Sequence, residues 1–489
     1  MRAPEPATLY RMHGNMTGAY RVRHLTIHNR VVLTNKTPSG LVRGFGGPLV
    51  YFALERLMQR IGVILDLDPL EVIRRNLVET FPYRCPAGAV LDSGDYGAAV
   101  DVGVARGRLA ELRRRSDLAR TEGRLYGIGF AAVVEPSISN MGYITTVLSP
   151  QERQKDGPKG GAQAAATVAL DPLGSVSVAI DSVPQGQGHR TVTAQIVADV
   201  FGLTPAAIRV DAGLDTGKDA WSIAAGNYSS RFAGATAGAA HIAATRLRGR
   251  LARIAAAQMN LRPEDLRFAG GRIFAAANPE NSLSFARVAA ASHWFAGSLP
   301  DPEPSALRET VFWSPSVLEA PNTADEINSS AVYGFVFDFC GIEVDRDTGV
   351  IRIDKYVSLH DAGRILNPAL FDGQVHGGFA MAIGSALYER FVYAEDGGFL
   401  TGSFADYAVP TASMIPELEI LHRESPSPVT PLGAKGVAEG SAMSTPVCIA
   451  NAVADALGVP EISLPLTPEH MLELLRRGSS VPTHRVSRR

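Results

Sequence analysis

The sequence predicts an α+β fold with two lobes. Helical and strand-like stretches both occur, but they do not alternate regularly as they do in a doubly wound parallel sheet. With 489 residues and 46% hydrophobic content, the chain is long enough to bury more than one core. A segment rich in proline and glycine at 81–96 predicts the end of the first lobe, and strand character from Tyr126 predicts the start of the second.

Helices are predicted where apolar residues recur at helical spacing after a start signal. In residues 48–67, Pro48 suits a first turn, and ahead of residues 70–78 Asp68 and Pro69 provide a cap and a first position. Further helices are predicted at 109–119, 189–202 and 233–258.

Strands are predicted where apolar and polar residues alternate or run apolar between turn signals. The predicted strands are 126–136, 166–172, 174–182 and a hairpin over 331–361 that turns at Asp347–Gly349. The polar, glycine-rich segment 149–163 is predicted to be a mobile surface loop.

Composition excludes several classes of function. The 47 basic and 49 acidic residues give a net charge of -2, so we expect neither nucleic acid nor a membrane as a partner. Three widely spaced cysteines, Cys85, Cys340 and Cys448, exclude a self-contained iron-sulfur cluster and a disulfide framework. Because the first residues do not read as a secretory leader, we expect a cytoplasmic protein with a frayed basic tail at 476–489.

One carboxylate stands out near the C-terminus. Glu439 lies in a glycine-broken loop, 431–446, just where a small-residue helix begins. Unpaired N–H groups and the positive end of a helix dipole favour an ionised carboxylate, which can accept a proton. We therefore predict a catalytic base; the alternative is a surface glutamate.

Three upstream segments also consist of polar residues flanked by glycines, and each leads into a predicted helix. In PQGQGH at 184–189, Gly186 and Gly188 permit close approach of the backbone to a ligand, and Gln187 can donate and accept hydrogen bonds. The alternative is an ordinary turn and cap. The other two segments are RGFGGP at 43–48 and NPALFDGQVHGG at 367–378.

Two further groups suit an anionic or flat ligand. Arg43 can pair with a carbonyl or a phosphate, and Phe45 can present its ring to a flat substrate or simply belong to the core. Ser229 and Ser230, beside Arg231, offer donors ahead of a small-residue helix, or cap it.

In this order, the segments resemble the molybdopterin-binding large subunit of the xanthine dehydrogenase, aldehyde oxidase and carbon monoxide dehydrogenase family. The resemblance runs from about Gly18 to Glu473 and includes TNKTPSGLVRGFGGP, LDPLEVIRRNL, DSGDY and NYSSRFAG. It begins midway in the family pattern, without the N-terminal hammerhead domain. It implies two molybdopterin-binding domains, at 1–100 and 125–475, joined by a linker helix at 101–124.

The resemblance also implies roles for particular residues. Glu439 matches the family's catalytic base, and Phe45 matches a residue of the substrate pocket. The cofactor-binding residues that the resemblance implies are Arg43, Gly44, Phe45, Gly186, Gln187, Gly188, Ser229, Ser230, Gln374 and Gly436. The cofactor would be molybdenum-molybdopterin in its cytosine dinucleotide form, with no protein side chain bound to the metal.

The implied reaction is hydroxylation of an aldehyde or an N-heterocyclic carbon with water as the oxygen source. Electrons would leave through a small subunit with 2Fe-2S clusters and a medium subunit with FAD. Another polypeptide would supply the N-terminal portion of the large subunit. Gly44 stands where carbon monoxide oxidisers have cysteine, which disfavours that chemistry. Ala438 replaces a common glycine and bears on substrate size. The remaining alternative is a non-catalytic remnant or assembly module.

Overall fold

A computed structural model of the chain describes residues 11–30, 32, 34, 36, 41–140, 142–156, 162–215, 217, 227–300 and 306–478. The α-helices are α1 (Gly47–Ile64), α2 (Pro69–Asn76), α3 (Tyr96–Arg106), α4 (Leu109–Thr121), α5 (Pro150–Asp156), α6 (His189–Phe201), α7 (Ala237–Met259), α8 (Phe285–Trp294), α9 (Pro368–Leu387), α10 (Gly440–Leu457) and α11 (Pro468–Gly478).

The strands are β1 (Tyr83–Arg84), β2 (Val90–Leu91), β3 (Leu125–Ser139), β4 (Ala164–Leu170), β5 (Val176–Ile180), β6 (Ile208–Asp211), β7 (Leu266–Ala269), β8 (Arg272–Ala275), β9 (Asn278–Ser284), β10 (Arg308–Trp313), β11 (Ser330–Val344), β12 (Ile351–Asp361) and β13 (Glu419–Arg423). Helices and sheets are therefore mixed, as the α+β prediction requires.

The site rests on a four-stranded sheet with the order β13-β12-β11-β3. β11 pairs antiparallel with β3 over their whole lengths, from Ser330 opposite Ser139 to Val344 opposite Leu125. β12 is antiparallel to β11, and β13 is parallel to β12. A second sheet has the order β10-β4-β5-β6, and β7-β8-β9 form a small antiparallel one.

Helix α10 lies against β3 at two glycines. A Cβ atom on Gly129 would lie 2.0 Å from the carbonyl oxygen of Cys448, and one on Gly127 would lie 2.0 Å from that of Ala452. Helix α1 approaches α10 in the same way, because a Cβ on Gly47 would lie 2.2 Å from the sulfur of Met443. Because glycine has no side chain, α10 can lie close to the sheet, and this close packing fixes the position of its N-terminus.

Most of the predicted elements are confirmed. Helices α1 and α2 are present, and the Asp68 side chain caps α2 by accepting a 2.9 Å hydrogen bond from Leu70 N. Helix α6 ends before Gly202, which has a φ of +64°. The long hairpin is formed by β11 and β12.

Two local predictions need correction. The segment 149–163 is not wholly a loop, because 150–156 form α5 and Arg153 is buried against Leu148 O and Asp325; residues 157–161 lie outside the described part. The alanine-rich helix starts at Ala237, since 232–236 form a π-helical turn.

Among the described residues, two hydrophobic cores are the largest. One unites β4, β5, α6 and α7, and the other contains Leu70, Val100, Val133 and Phe337. The division into domains at 100 and 125 stays a prediction. Among the described residues, no helix is both long enough and apolar enough to span a bilayer.

Candidate active site

A cavity of about 1010 Å³ opens where the N-termini of α6, α9 and α10 meet. Loops at 41–45, 227–233 and 435–439 complete its wall. Nine of the predicted site residues line it: Arg43, Phe45, Gly186, Gln187, Ser229, Ser230, Gln374, Gly436 and Glu439. The fold therefore brings together segments that are up to about 400 positions apart in the sequence.

Glu439 is half-buried and is the residue that precedes α10. Burial, then the charge of Glu135, raises the pKa of Glu439 to about 7, against the opposing effects of Arg11, Arg43 and the Gly44 N–H. The Glu439 side chain does not cap its own helix. Burial and Glu135 thus oppose the ionised state that the position of Glu439 at a helix start favours.

Arg43 is held by backbone carbonyls on both sides of the cavity. Its Nε donates to Ala438 O, and its Nη2 donates a 2.7 Å hydrogen bond to Gln374 O. Burial lowers the pKa of Arg43, whereas Glu135 and Glu439 raise it. Arg43 thus joins the loop before α10 to α9 and places a cation beside Glu439.

Gly44 and Phe45 follow on the same turn. Gly44 is buried with a φ of +86°, and its N–H lowers the pKa of Glu439. A Cβ on Gly44 would lie 3.3 Å from that of Ala442, so the turn lies directly against α10. Phe45 is half-buried and lines the cavity.

The loop before α6 presents Gly186 and Gln187 to the cavity. The Gln187 side chain accepts a hydrogen bond from Gln185 N, which fixes the loop. Gly188 lies behind them as the cap residue of α6, with a φ of +74° and no side-chain cap on the helix. A Cβ on Gly188 would lie 2.5 Å from the Leu370 side chain of α9, so this glycine is required for the two helix ends to meet.

Ser229 and Ser230 differ in a way that the sequence could not show. Both have positive φ, +57° and +43°, which is strained for residues other than glycine. Ser229 Oγ is engaged by Arg11 and Ser139. Ser230 Oγ is buried without a partner of hydrogen-bonding geometry. Of the two, Ser230 has the hydroxyl available to a ligand.

Gly436 and Gln374 complete the predicted set. A Cβ on Gly436 would lie 2.6 Å from that of Ser230 and 2.8 Å from Glu135 Oε1, so only glycine fits there. Gln374 lines the cavity from α9, and His376 is exposed.

Sequence reasoning missed Arg11 and Glu135. Arg11 lines the cavity and is buried. Glu135 is buried beneath Glu439 on β3, and its Oε2 accepts a 2.7 Å hydrogen bond from Gly440 N. The available signal was a single carboxylate in the otherwise apolar run YGIGFAAVVEP.

The arrangement favours an anionic ligand. Arg11 and Arg43 bring two cations to the cavity, and Arg364 is exposed on its wall. The N-terminus of α6 has no side-chain cap, and helix N-termini bind anions such as phosphate. Within the described ranges, no cluster of three His, Cys, Asp or Glu side chains could bind a metal ion directly.

Comparison with known proteins identifies the family. Two models described as a molybdopterin cofactor-binding domain match residues 2–77 and 104–416. The chain therefore belongs to the molybdopterin-binding large subunits of the xanthine dehydrogenase family.

Three individual proteins show how similar the known relatives are. The chain is 33% identical to the nicotine 6-hydroxylase large subunit of Paenarthrobacter nicotinovorans over 93% of its length and 53% of that protein's. It is 30% identical to the carbon monoxide dehydrogenase large chain of Afipia carboxidovorans over 90% of its length and 52% of that protein's. The crystal structure of quinoline 2-oxidoreductase from Pseudomonas putida 86 superposes with a TM-score of 0.84 at 28% identity, covering 96% of this chain and 57% of that one. This member of the xanthine dehydrogenase family thus spans about half the length of these relatives.

Proposed function

We propose that this chain is the base-bearing part of a molybdenum hydroxylase that oxidises an aldehyde or an N-heterocyclic carbon with water as the oxygen source. The observation that carries the proposal is the position of Glu439, a carboxyl group with a pKa raised to about 7, at the wall of a large cavity rich in N–H donors. A base with such a pKa accepts a proton most effectively near neutral pH.

The residues present fit a molybdopterin cofactor. Ser230 Oγ is an orphaned buried hydroxyl, and Gly436 lets the loop at the cavity wall pack directly against Ser230 and Glu135. The exposed turn at Gly186 and the end of α6 offer backbone donors to an anionic group. When bound, molybdenum would supply a Lewis acid and an acceptor for two electrons.

Different residues of the chain would bind the cofactor, position the loops and accept the proton. Gln187 and Ser230 would hold the cofactor, Arg43 would keep the loops at 438 and 374 together, and Glu439 would take up the proton released as oxygen is transferred. Phe45 would contact a flat substrate. Its ring, together with Val42, Leu366 and Phe371, provides an apolar side to the cavity.

Three finer parts of the proposal concern the whole complex. We propose the cytosine dinucleotide form of the cofactor, a cytoplasmic location, and partner subunits that carry 2Fe-2S clusters and FAD. Carbon monoxide oxidation is not favoured, because Gly44 offers no sulfur ligand at the cavity.

The first test is the molybdenum and pterin content of this chain, purified alone and co-expressed with its neighbouring reading frames. Acid hydrolysis of the cofactor should release CMP if the dinucleotide form is correct. Metal in the co-expressed complex supports the proposal, and its absence from both preparations supports a remnant or assembly module instead.

The second test separates cofactor binding from catalysis. Glu439→Gln should retain molybdenum but lower turnover of aldehydes and N-heterocycles by about 100-fold or more, since general-base catalysis contributes that much. Gln187→Ala should lower the molybdenum content itself. Wild-type turnover in Glu439→Gln would overturn the assignment of the base, and an unchanged metal ratio in Gln187→Ala would overturn that of the cofactor contact.

A further inference from the structure

A second carboxylate lies directly beneath the proposed base. Glu135 is on β3 opposite Gly334 of β11, and only 1% of its surface is exposed. It is not part of the cavity wall but lies behind it, on the side of the loop that ends at Glu439.

Glu135 holds the backbone at the start of α10. Its Oε2 accepts a 2.7 Å hydrogen bond from Gly440 N, and the N–H of Glu439 is near enough to lower the pKa of Glu135. These are among the first N–H groups of an 18-residue helix that has no cap from its own sequence. The direction in which Glu439 leaves the backbone is therefore set by Glu135.

The other oxygen of Glu135 has no partner. Oε1 is buried without a hydrogen bond and faces Gly436 and Ser230. Burial raises the pKa of Glu135, and the Ser230 hydroxyl is near enough to oppose that rise, although neither Glu135 Oε1 nor Ser230 Oγ has a partner of hydrogen-bonding geometry. A buried carboxyl oxygen without a partner is costly, and capping of the helix alone does not require it.

We infer that Glu135 is a positioning residue for Glu439: it holds the backbone from which Glu439 projects and sets a second carboxylate beside it. This inference rests on the proposed function, in which Glu439 is the base. Two neighbouring carboxyls are harder to ionise together than alone, and the charge of Glu135 raises the pKa of Glu439, so Glu439 stays protonated to a higher pH.

The other charged groups around Glu439 do not replace this effect. Arg11 and Arg43 act in the opposite direction, by favouring the ionised form of Glu439. From β12, His360 approaches Gly440, but burial lowers its pKa to about 3, so it remains neutral. Lys435 directs its Nζ away, to Ser93 O and Tyr333 O. Helix α9 contributes the uncharged Gln374.

The test is the pH profile of Glu135→Gln in the complex. Glutamine retains an oxygen that can accept from Gly440 N but removes the charge. We expect the acid limb of kcat to move to lower pH by about one unit, while Glu135→Asp keeps the wild-type limb. Glu55→Gln is the matched control, because Glu55 is equally buried and accepts from Ala132 N on the same strand but lies away from the cavity. An unmoved limb with lower kcat at every pH would reduce Glu135 to a structural residue and overturn the inference.

A second measurement needs no molybdenum. Infrared difference titration of wild type against Glu439→Gln reports the pKa of the Glu439 carboxyl in the chain itself. We expect Glu135→Gln to lower this pKa. Because coupling between two carboxyls is reciprocal, the pKa of Glu135 should also be lower in Glu439→Gln than in wild type. This second shift remains measurable if Glu135→Gln does not fold, and its absence would also overturn the inference. An inactive complex with both shifts present would refute the proposed function but not the coupling.

Discussion

Arg11 donates a 2.9 Å hydrogen bond from Nη2 to Ser229 Oγ, across 218 positions of sequence. The same guanidinium donates to Pro136 O at 2.8 Å and to Ser330 Oγ at 3.1 Å. It therefore joins the N-terminal segment to β3, to β11 and to the turn before α7, and it positions the serine pair at the cavity.

Arg11→Ala should destabilise the fold and lower cofactor content together. Three acceptors would lose a buried, charged donor, which should cost on the order of 3 kcal/mol of unfolding free energy. Urea unfolding and the molybdenum ratio measure the two effects. Arg21→Ala is the control: its ion pair with Glu79 is exposed, and we expect a loss of less than about 1 kcal/mol. Equal losses in the two variants would contradict the role of Arg11.

Alanine at Ser229 should lower the stability of the fold, whereas alanine at Ser230 should lower cofactor retention. Ser229→Ala removes the partner of Arg11 and Ser139 and should lower stability by about 1–2 kcal/mol. Ser230→Ala removes a hydroxyl without a partner, so stability should be nearly unchanged while cofactor retention falls. Thermal unfolding of cofactor-free protein and molybdenum content separate the two variants. Unchanged metal in Ser230→Ala would exclude its hydroxyl as a cofactor contact.

Gly129→Ala tests the close approach of α10 to β3. The new Cβ would lie 2.0 Å from Cys448 O, so the helix or the strand must shift, at a cost of about 3 kcal/mol. Gly97→Ala is the opposite control, because a Cβ there meets no atom within 4 Å and Gly97 is in α3; it should stabilise by about 0.5 kcal/mol. Urea denaturation of the two variants should show opposite signs.

Glu55 should make stability fall as pH rises. Burial raises its pKa from 4.5 to about 8, so the folded chain keeps a proton that the unfolded chain loses between these values. Stability from this group is present below about pH 4.5 and is lost as pH rises to 8. Glu55→Gln cannot titrate, so its stability relative to wild type should increase from pH 5 to pH 9 by on the order of 3 kcal/mol. Parallel unfolding profiles for both proteins would refute the shift.

Local signals in the sequence were sufficient for the regular elements. Asp68 and Pro69 predicted the start of α2, Gly202 predicted the end of α6, and Asp347–Gly349 predicted the turn between β11 and β12. Each depends on neighbours within a few residues, which is the range over which capping and turn preferences act. Helix α5 was missed, because its charged residues and the glycines after it read as a loop.

The sequence by itself also identified the family and the nine predicted residues that the cavity brings together, since glycine-bracketed motifs retain their order along the chain. Only the tertiary structure decided how Glu439 is held and how its proton is controlled. Arg11 and Glu135 come from distant segments, and nothing near Glu439 in sequence predicts them. Hydrogen bonding and burial depend on which atoms meet after folding, so the pKa of the proposed base is a property of the packed sheet and helices, not of its own loop.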